Sequence, residues 1–385
     1  MTDGFVIIHR KLPGYFALAL LAFIASYLLL PTSKMVNNVY YALLAVPALG
    51  VLVWYRQRGL RRDPLLWLWG ALFAWFAVIG ALSGDGQFYK HLLYIALFVL
   101  AVSQWVDPRA FRADGFARGL FWILGFYVLG SALVYWATGR YAVGERVIWL
   151  PSRMTGPIYT SMWLVCCFAL ALPVWLRDRR WLEMLAALAL AGFCMGYVLQ
   201  SRSGLVGLVV LVPLVLVYLG LQRPRWLLWG AAVGALLALL LAWATLQVPE
   251  VGQLFSRADS GRLELWAILG GEWMNCGVLL GCGLEHEAGR ALSNGAPIQH
   301  PHNIYLALGV YTGLPALVLF VTLMLLTLQR AWVHRDAWGL YLFVALVVLN
   351  FDGSTLVGNP DELWLLVLLP AALILNRRAD ARAAG

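Results

Sequence analysis

Gln299-His300-Pro301-His302-Asn303-Ile304-Tyr305 marks the hand-over from a long polar segment to an apolar run. Proline is tolerated ahead of a helix start and asparagine suits a helix N-terminus, so a membrane helix begins near Asn303 with His302 at its mouth. The unpaired N–H groups and positive dipole end of such a helix favour a neutral imidazole. A neutral imidazole is the state that a general base needs. The rest of the chain is expected to build a membrane cavity around this histidine, for a substrate that carries phosphate.

Outward from that stretch, the composition is that of a membrane protein. The chain has 385 residues, 62% of them hydrophobic and only 12% charged, against about 25% charged in an ordinary soluble domain. Apolar runs of about twenty residues alternate with short basic or polar stretches, the pattern of an all-α polytopic membrane protein. The formal charge of +9 does not point to nucleic acid, because the basic residues fall between the apolar runs and form no single patch. His9-Arg10-Lys11 precedes a run that ends in Pro31-Thr32-Ser33-Lys34 without a small-x-small site, so it is expected to be a first transmembrane helix and not a cleaved signal. No fixed-period repeat or low-complexity tract stands out.

Twelve spans are expected, at about 13–30, 38–55, 64–82, 88–106, 119–137, 158–176, 181–199, 203–221, 226–247 and 303–328, then one before Phe351-Asp352-Gly353 and one before Arg377-Arg378. The chain is expected to divide into residues 1–247 with nine spans, an outer extramembrane segment 248–302 with short helices, and residues 303–385 with three spans and a basic tail. Placing both termini in the cytoplasm puts nineteen of the 28 basic residues inside, the direction that the positive-inside rule asks for.

The basic residues that break the rule are Lys34, Lys90, Arg140, Arg146, Arg153, Arg202, Arg257, Arg262 and Arg290. Arg202 has almost no loop to sit in, because it lies between Tyr197-Val198-Leu199 and Gly204-Leu205-Val206. An arginine so near the hydrocarbon is costly unless it snorkels or meets an anion. Arg262 belongs to Asp259-Ser260-Gly261-Arg262-Leu263-Glu264-Leu265-Trp266, where the Asp or Ser can cap a helix that carries Arg262 in its first turn. A guanidinium beside free N–H groups is a ready anion site; the plain alternative is a solvated charge paired with Glu264 or Glu272.

His302 has its own plain alternative, a loop histidine bonded to a carbonyl, and His300 is equally good on paper. Two histidines alone do not make a metal site, and Glu285, His286 and Glu287 would have to fold back to complete one, so no metal and no cofactor are expected. Asp85, Asp352, Asp361 and Glu362 face the same side and read as loop or cap residues. Cys166, Cys167 and Cys194 fall in apolar runs and are expected to pack as small hydrophobes. Cys276 and Cys282 lie outside, and whether they pair stays open. Trp266 and Tyr305 are candidates to stack on sugars.

Ser201-Arg202-Ser203-Gly204 opening a helix, Ser260-Gly261-Arg262 with Trp266, the Gly281-Cys282-Gly283 turn, and His302-Asn303 followed by Gly313-Leu314 together resemble the O-antigen ligase and polymerase superfamily of envelope glycosyltransferases. The resemblance runs from about residue 195 to 320. The family pattern has a second glycine where this chain has Pro315, a departure that concerns helix packing. The resemblance implies a GT-C-like fold in the bacterial inner membrane, with the active site facing the periplasm. It also implies inverting, metal-independent transfer of a glycan from undecaprenyl diphosphate to a sugar of lipid A–core. His302 would be the base, Arg202 and Arg262 would bind the diphosphate, and His300, Asn303, Lys90, Trp266 and Tyr305 are further candidates. A polymerase with a lipid-linked glycan acceptor and a membrane transporter are the competing readings.

Overall fold

The computed structural model describes residues 2–54, 63–154, 156–222, 261–293, 295 and 297–376, with a few single positions between 234 and 247; of residues 2–11 and 218–222 only the backbone is described. Twelve helices are used below: α1 Thr2–Leu29, α2 Ser33–Trp54, α3 Pro64–Ser83, α4 Gly86–Trp105, α5 Asp114–Ala137, α6 Pro157–Arg177, α7 Trp181–Val198, α8 Arg202–Gln222, α9 Arg262–Cys276, α10 Ile304–Val333, α11 Trp338–Val348 and α12 Trp364–Leu375. No strand occurs among the described residues. Among the described residues, eight helices, α1 to α7 and α10, are long and apolar enough to cross a membrane, and α8, α11 and α12 carry shorter apolar stretches. The chain is an all-helical, multi-pass membrane protein. The run expected near 226–247, the capping candidates Asp259 and Ser260, and Arg257 lie outside the described residues.

Local chemistry sets the helix starts. The Asp63 carboxylate accepts the Leu65 N–H at 2.9 Å with Pro64 in the first turn, and Asp85 does the same for Gln87 at 2.8 Å. Asp63 also receives both guanidinium nitrogens of Arg330, at 2.6 and 2.8 Å, which ties the start of α3 to the last turn of α10. At this same end Arg112 meets Asp336, and Arg118 meets Glu183 beside the Trp122 indole. Arg112, Arg118 and Arg330, expected among the basic residues on the inner side, are thus partly spent on pairing with carboxylates.

α6 is the hub, with 83% of its span buried, and α5, α7, α8 and α11 pack around it. A Cβ on Gly207 of α8 would stand 2.8 Å from Val165 of α6 and 3.0 Å from Val348 of α11, so a small residue lets these three helices close up.

Two departures from regular helix shape the opposite end. The last turn of α7, Cys194–Val198, is a π-turn, and Gln200 then takes a left-handed conformation (φ 45°) while its amide donates to the Gly144 carbonyl. The chain thereby reverses in Leu199-Gln200-Ser201, and α8 opens directly on Arg202.

The expectation of one continuous helix at 303–328 needs correction, because α10 breaks at Gly313 (φ 79°, ψ 173°), just before Pro315. The loop after α9 is stitched into the break: the Cys282 N–H donates to the Val310 carbonyl at 2.6 Å, and the Leu314 N–H donates to Val278 at 2.9 Å. From the other side the Trp75 indole N–H donates to the Thr312 carbonyl at 2.8 Å. Backbone groups freed inside a membrane helix need such partners. A Cβ at Gly313 would fall 2.0 Å from the Leu279 carbonyl oxygen, so only glycine fits.

Candidate active site

Asn303 caps α10 as expected, its Oδ1 accepting the Tyr305 and Leu306 N–H groups at 2.9 and 3.1 Å. His302 therefore precedes the cap, in a left-handed conformation (φ 49°). The turn after α11 closes over this point: the Ile304 N–H donates to the Leu349 carbonyl at 3.1 Å, and a Cβ on Gly353 would stand 2.8 Å from the Ile304 nitrogen.

That turn delivers Asp352, which is buried at 3% exposure. One carboxylate oxygen accepts both the Gly353 N–H and the His302 ring at Nδ1, each at 2.9 Å. The oxygen that takes the Gly353 N–H is an acceptor, so Nδ1 carries the hydrogen and Nε2 keeps its lone pair. In the sequence Asp352 reads as a loop or cap residue. Its partner lies fifty positions away, and the Asp-Gly pair by itself signals only a turn.

His300 packs edge-on against His302, ring centroids 3.9 Å apart, and its Nδ1 is buried with no hydrogen-bond partner. Burial, and then the neighbouring His302 ring, hold the His300 imidazole below its ordinary pKa, against the opposing pull of Asp352.

Trp266 is tied to the same stretch, its indole N–H donating to the Pro301 carbonyl at 3.0 Å. Arg262 is the first residue of α9, one helical turn before Trp266 and on the same face. The N-cap position is Gly261, left-handed at φ 74°. Leu265 and Leu269 of α9 pack on Ala307, Val310 and Tyr311 of α10. Glu264 accepts from Ser293 at 2.7 and 2.9 Å, and Glu272 bonds His286 at 2.8 Å and Gly289 at 2.9 Å, which ties α9 to the following loop.

Arg202 heads α8 between the buried Ser201 and Ser203. Ser201 and Ser161 share a hydrogen bond of 2.5 Å, and a Cβ on Gly204 would collide with Met195 and Ser161. The start of α8 is thereby held against the start of α6 and, through Gly207 and Val348, near the turn that bears Asp352. The starts of α6, α8 and α10 and the turn after α11 all lie at one end of the bundle, opposite the arginine-rich end.

The remaining candidates sit differently. The Tyr305 hydroxyl donates to the Leu346 carbonyl at 2.9 Å, so it builds the site's wall. Lys90 is exposed on α4, its ammonium 6.0 Å over the Tyr94 ring. Arg146 donates to the Leu199 carbonyl at 2.9 Å, and Arg153 pairs with Glu362 at 2.6 Å. Cys276 and Cys282 form a disulfide, Cα atoms 5.0 Å apart, which closes the loop that enters α10; Cys166, Cys167 and Cys194 are buried free thiols. Two clusters have metal-ligand spacing among the described residues, His300 with His302 and Asp352, and Cys276 with Cys282 and His286. Only the first has all its donors available, since the two sulfurs of the second are bonded to each other.

Residues 185–321 match the model of the O-antigen ligase family, a stretch that runs from within α7 through α8 and α9 to just past the break in α10. Among curated proteins, the chain is 26% identical over 365 residues to an O-antigen ligase of Pseudomonas aeruginosa, covering 88% of this chain and 84% of that protein. The arginine that opens α8, the arginine that opens α9 and the histidine before α10 all fall inside the matched stretch, and the resemblance to the O-antigen ligase family, expected over about residues 195 to 320, is thereby borne out there.

Proposed function

We propose that the chain is a glycosyltransferase of the O-antigen ligase type, with its site on the periplasmic face of the bacterial inner membrane. It would move a glycan from undecaprenyl diphosphate to a sugar hydroxyl of lipid A–core, with inversion and without a metal. Both termini then lie in the cytoplasm, with the arginine-rich end. His302 takes the acceptor's hydroxyl proton at Nε2 while that oxygen bonds to the donor's anomeric carbon. The bond from that carbon to the diphosphate breaks on the opposite face. The leaving group departs as an anion, and Arg202 and Arg262, each at the positive dipole end of a helix, receive the charge where it develops. Trp266 holds the backbone ahead of the base.

The observation that carries this reading is the His302–Asp352 contact of 2.9 Å at the mouth of α10, at the same end as the two arginine-headed helix starts. A two-component assay with purified protein, lipid-linked donor and lipid A–core acceptor tests it. Glycan on the core lipid is the expected product, undiminished in chelator. Glycan joined only to a second lipid-linked glycan would mean a polymerase, and no transfer with either acceptor would overturn the proposal.

A further inference from the structure

We propose that His300, His302 and Asp352 form a site for a divalent transition ion of the zinc type, whose occupancy switches off the base. One ring nitrogen of each histidine and one oxygen of Asp352 all lie within 4.8 Å of one another. From that spacing three ligands can close on an ion with bonds of about 2.0–2.2 Å. Two imidazoles and a carboxylate are the donor set that suits zinc, and three protein ligands leave one position open. Much of the site is already in place. Asp352 holds the His302 ring at 2.9 Å, and the His300 ring lies 3.9 Å from it. The Nδ1 atom of His300 is buried without a hydrogen-bond partner, so this ring keeps a nitrogen that the protein leaves unspent. The His302 side chain is 37% exposed, which gives an ion a way in.

The effect on the base follows from the two ring nitrogens. Without an ion, Nδ1 carries the hydrogen towards Asp352 and Nε2 keeps the lone pair. An ion bound at Nδ1 beside the carboxylate needs that nitrogen's lone pair, so the proton moves to Nε2 and the ring loses its basic atom. An ion bound at Nε2 takes the basic lone pair directly. One proton changes place at most, and nothing is oxidised or reduced. This inference rests on the proposed function only for the role of His302; the binding of the ion does not depend on it.

The test uses tag-free, full-length protein in detergent, disulfide intact and cleared of metal with chelator. Zinc is titrated by calorimetry and cobalt by its visible absorption, on wild type and on His300→Ala, Asp352→Asn and His286→Ala. One ion per chain is expected, with affinity unchanged in His286→Ala and lowered at least about tenfold in the other two variants. Transfer should fall in step with zinc occupancy and return with chelator. The lack of a one-to-one site, or wild-type affinity in His300→Ala, would overturn the proposal and leave the transfer mechanism untouched. Stoichiometric zinc with undiminished transfer would overturn the switch, and the assignment of His302 as base with it.

Discussion

In the mechanism proposed above, Asp352 and His302 divide the work that a base needs done. The histidine offers a lone pair at Nε2, and the carboxylate fixes which nitrogen offers it. Replacing His302 by Ala removes the base, and a loss of about 10²–10⁴ in turnover is expected, with normal protein levels in the membrane. Asp352→Asn is the sharper experiment. An asparagine whose Oδ1 keeps the Gly353 N–H also keeps the hydrogen on Nδ1, but it lacks the charge that stabilises the imidazolium as it forms; a loss in turnover with little change in KM is expected. Transfer by either variant at the wild-type rate would remove the dyad. The same proposal has Arg202 and Arg262 act on the donor, so Lys at either position should restore little, because a point ammonium lacks the guanidinium's forked donors. Lipid-linked donor titrations would show this as a raised KM together with slower transfer.

At the scale of elements, the break in α10 is the feature to challenge. Gly313→Ala puts a methyl group onto the Leu279 carbonyl and forces a side chain into a left-handed φ of 79°. Strained backbone of this kind costs about 1–3 kcal/mol before the collision is counted. Thermal unfolding in detergent should shift downward, and transfer should fall with it, because the first half of α10 carries the cap that follows His302. The disulfide acts on the same loop. Cys276→Ser with Cys282→Ser should lower stability by about 2–3 kcal/mol, read as a lower melting temperature that reductant reproduces in wild type. A melting temperature that neither change moves would mean that the loop's hydrogen bonds into α10 suffice alone. Helix starts were legible in sequence, since Asp63-Pro64, Asp85-Gly86 and Asn303 are local signals. The break was not legible, because Gly313 and Pro315 occur in many straight runs and the need for glycine comes from Leu279, thirty-odd residues earlier.

For the molecule as a whole, hydropathy alone foretold the helical architecture, because each span announces itself within its own twenty residues. The sorting of charge between the two ends was legible for the same reason. What sequence could not supply was pairing across the fold: Asp63 with Arg330, Arg112 with Asp336, Arg153 with Glu362, and Asp352 with His302. Each joins residues fifty or more positions apart, and nothing local marks them. One acid beside these pairs gives the whole protein a pH dependence. Burial, and then the charge of Glu362, push the Asp361 carboxyl up to about 8, against the pull of Arg153. A carboxyl whose folded pKa lies above its unfolded value binds its proton more tightly when folded, so its contribution to stability is full in acid and is lost as the pH rises towards about 8. The melting temperature should therefore decline between about pH 5 and 8, and Asp361→Asn should flatten that decline. A slope unchanged in the variant would assign it to another group.

The stitched break also bears on how the chain is made. Trp75, Val278 and Cys282, which satisfy the backbone around Gly313, are all translated before the residues they serve. When α10 leaves the ribosome and its insertion machinery, every partner for its opened turn is already waiting. An α10 released alone into lipid would hold several bare polar groups in hydrocarbon, at several kcal/mol each. The order of synthesis thus supplies, in time, what the bilayer withholds.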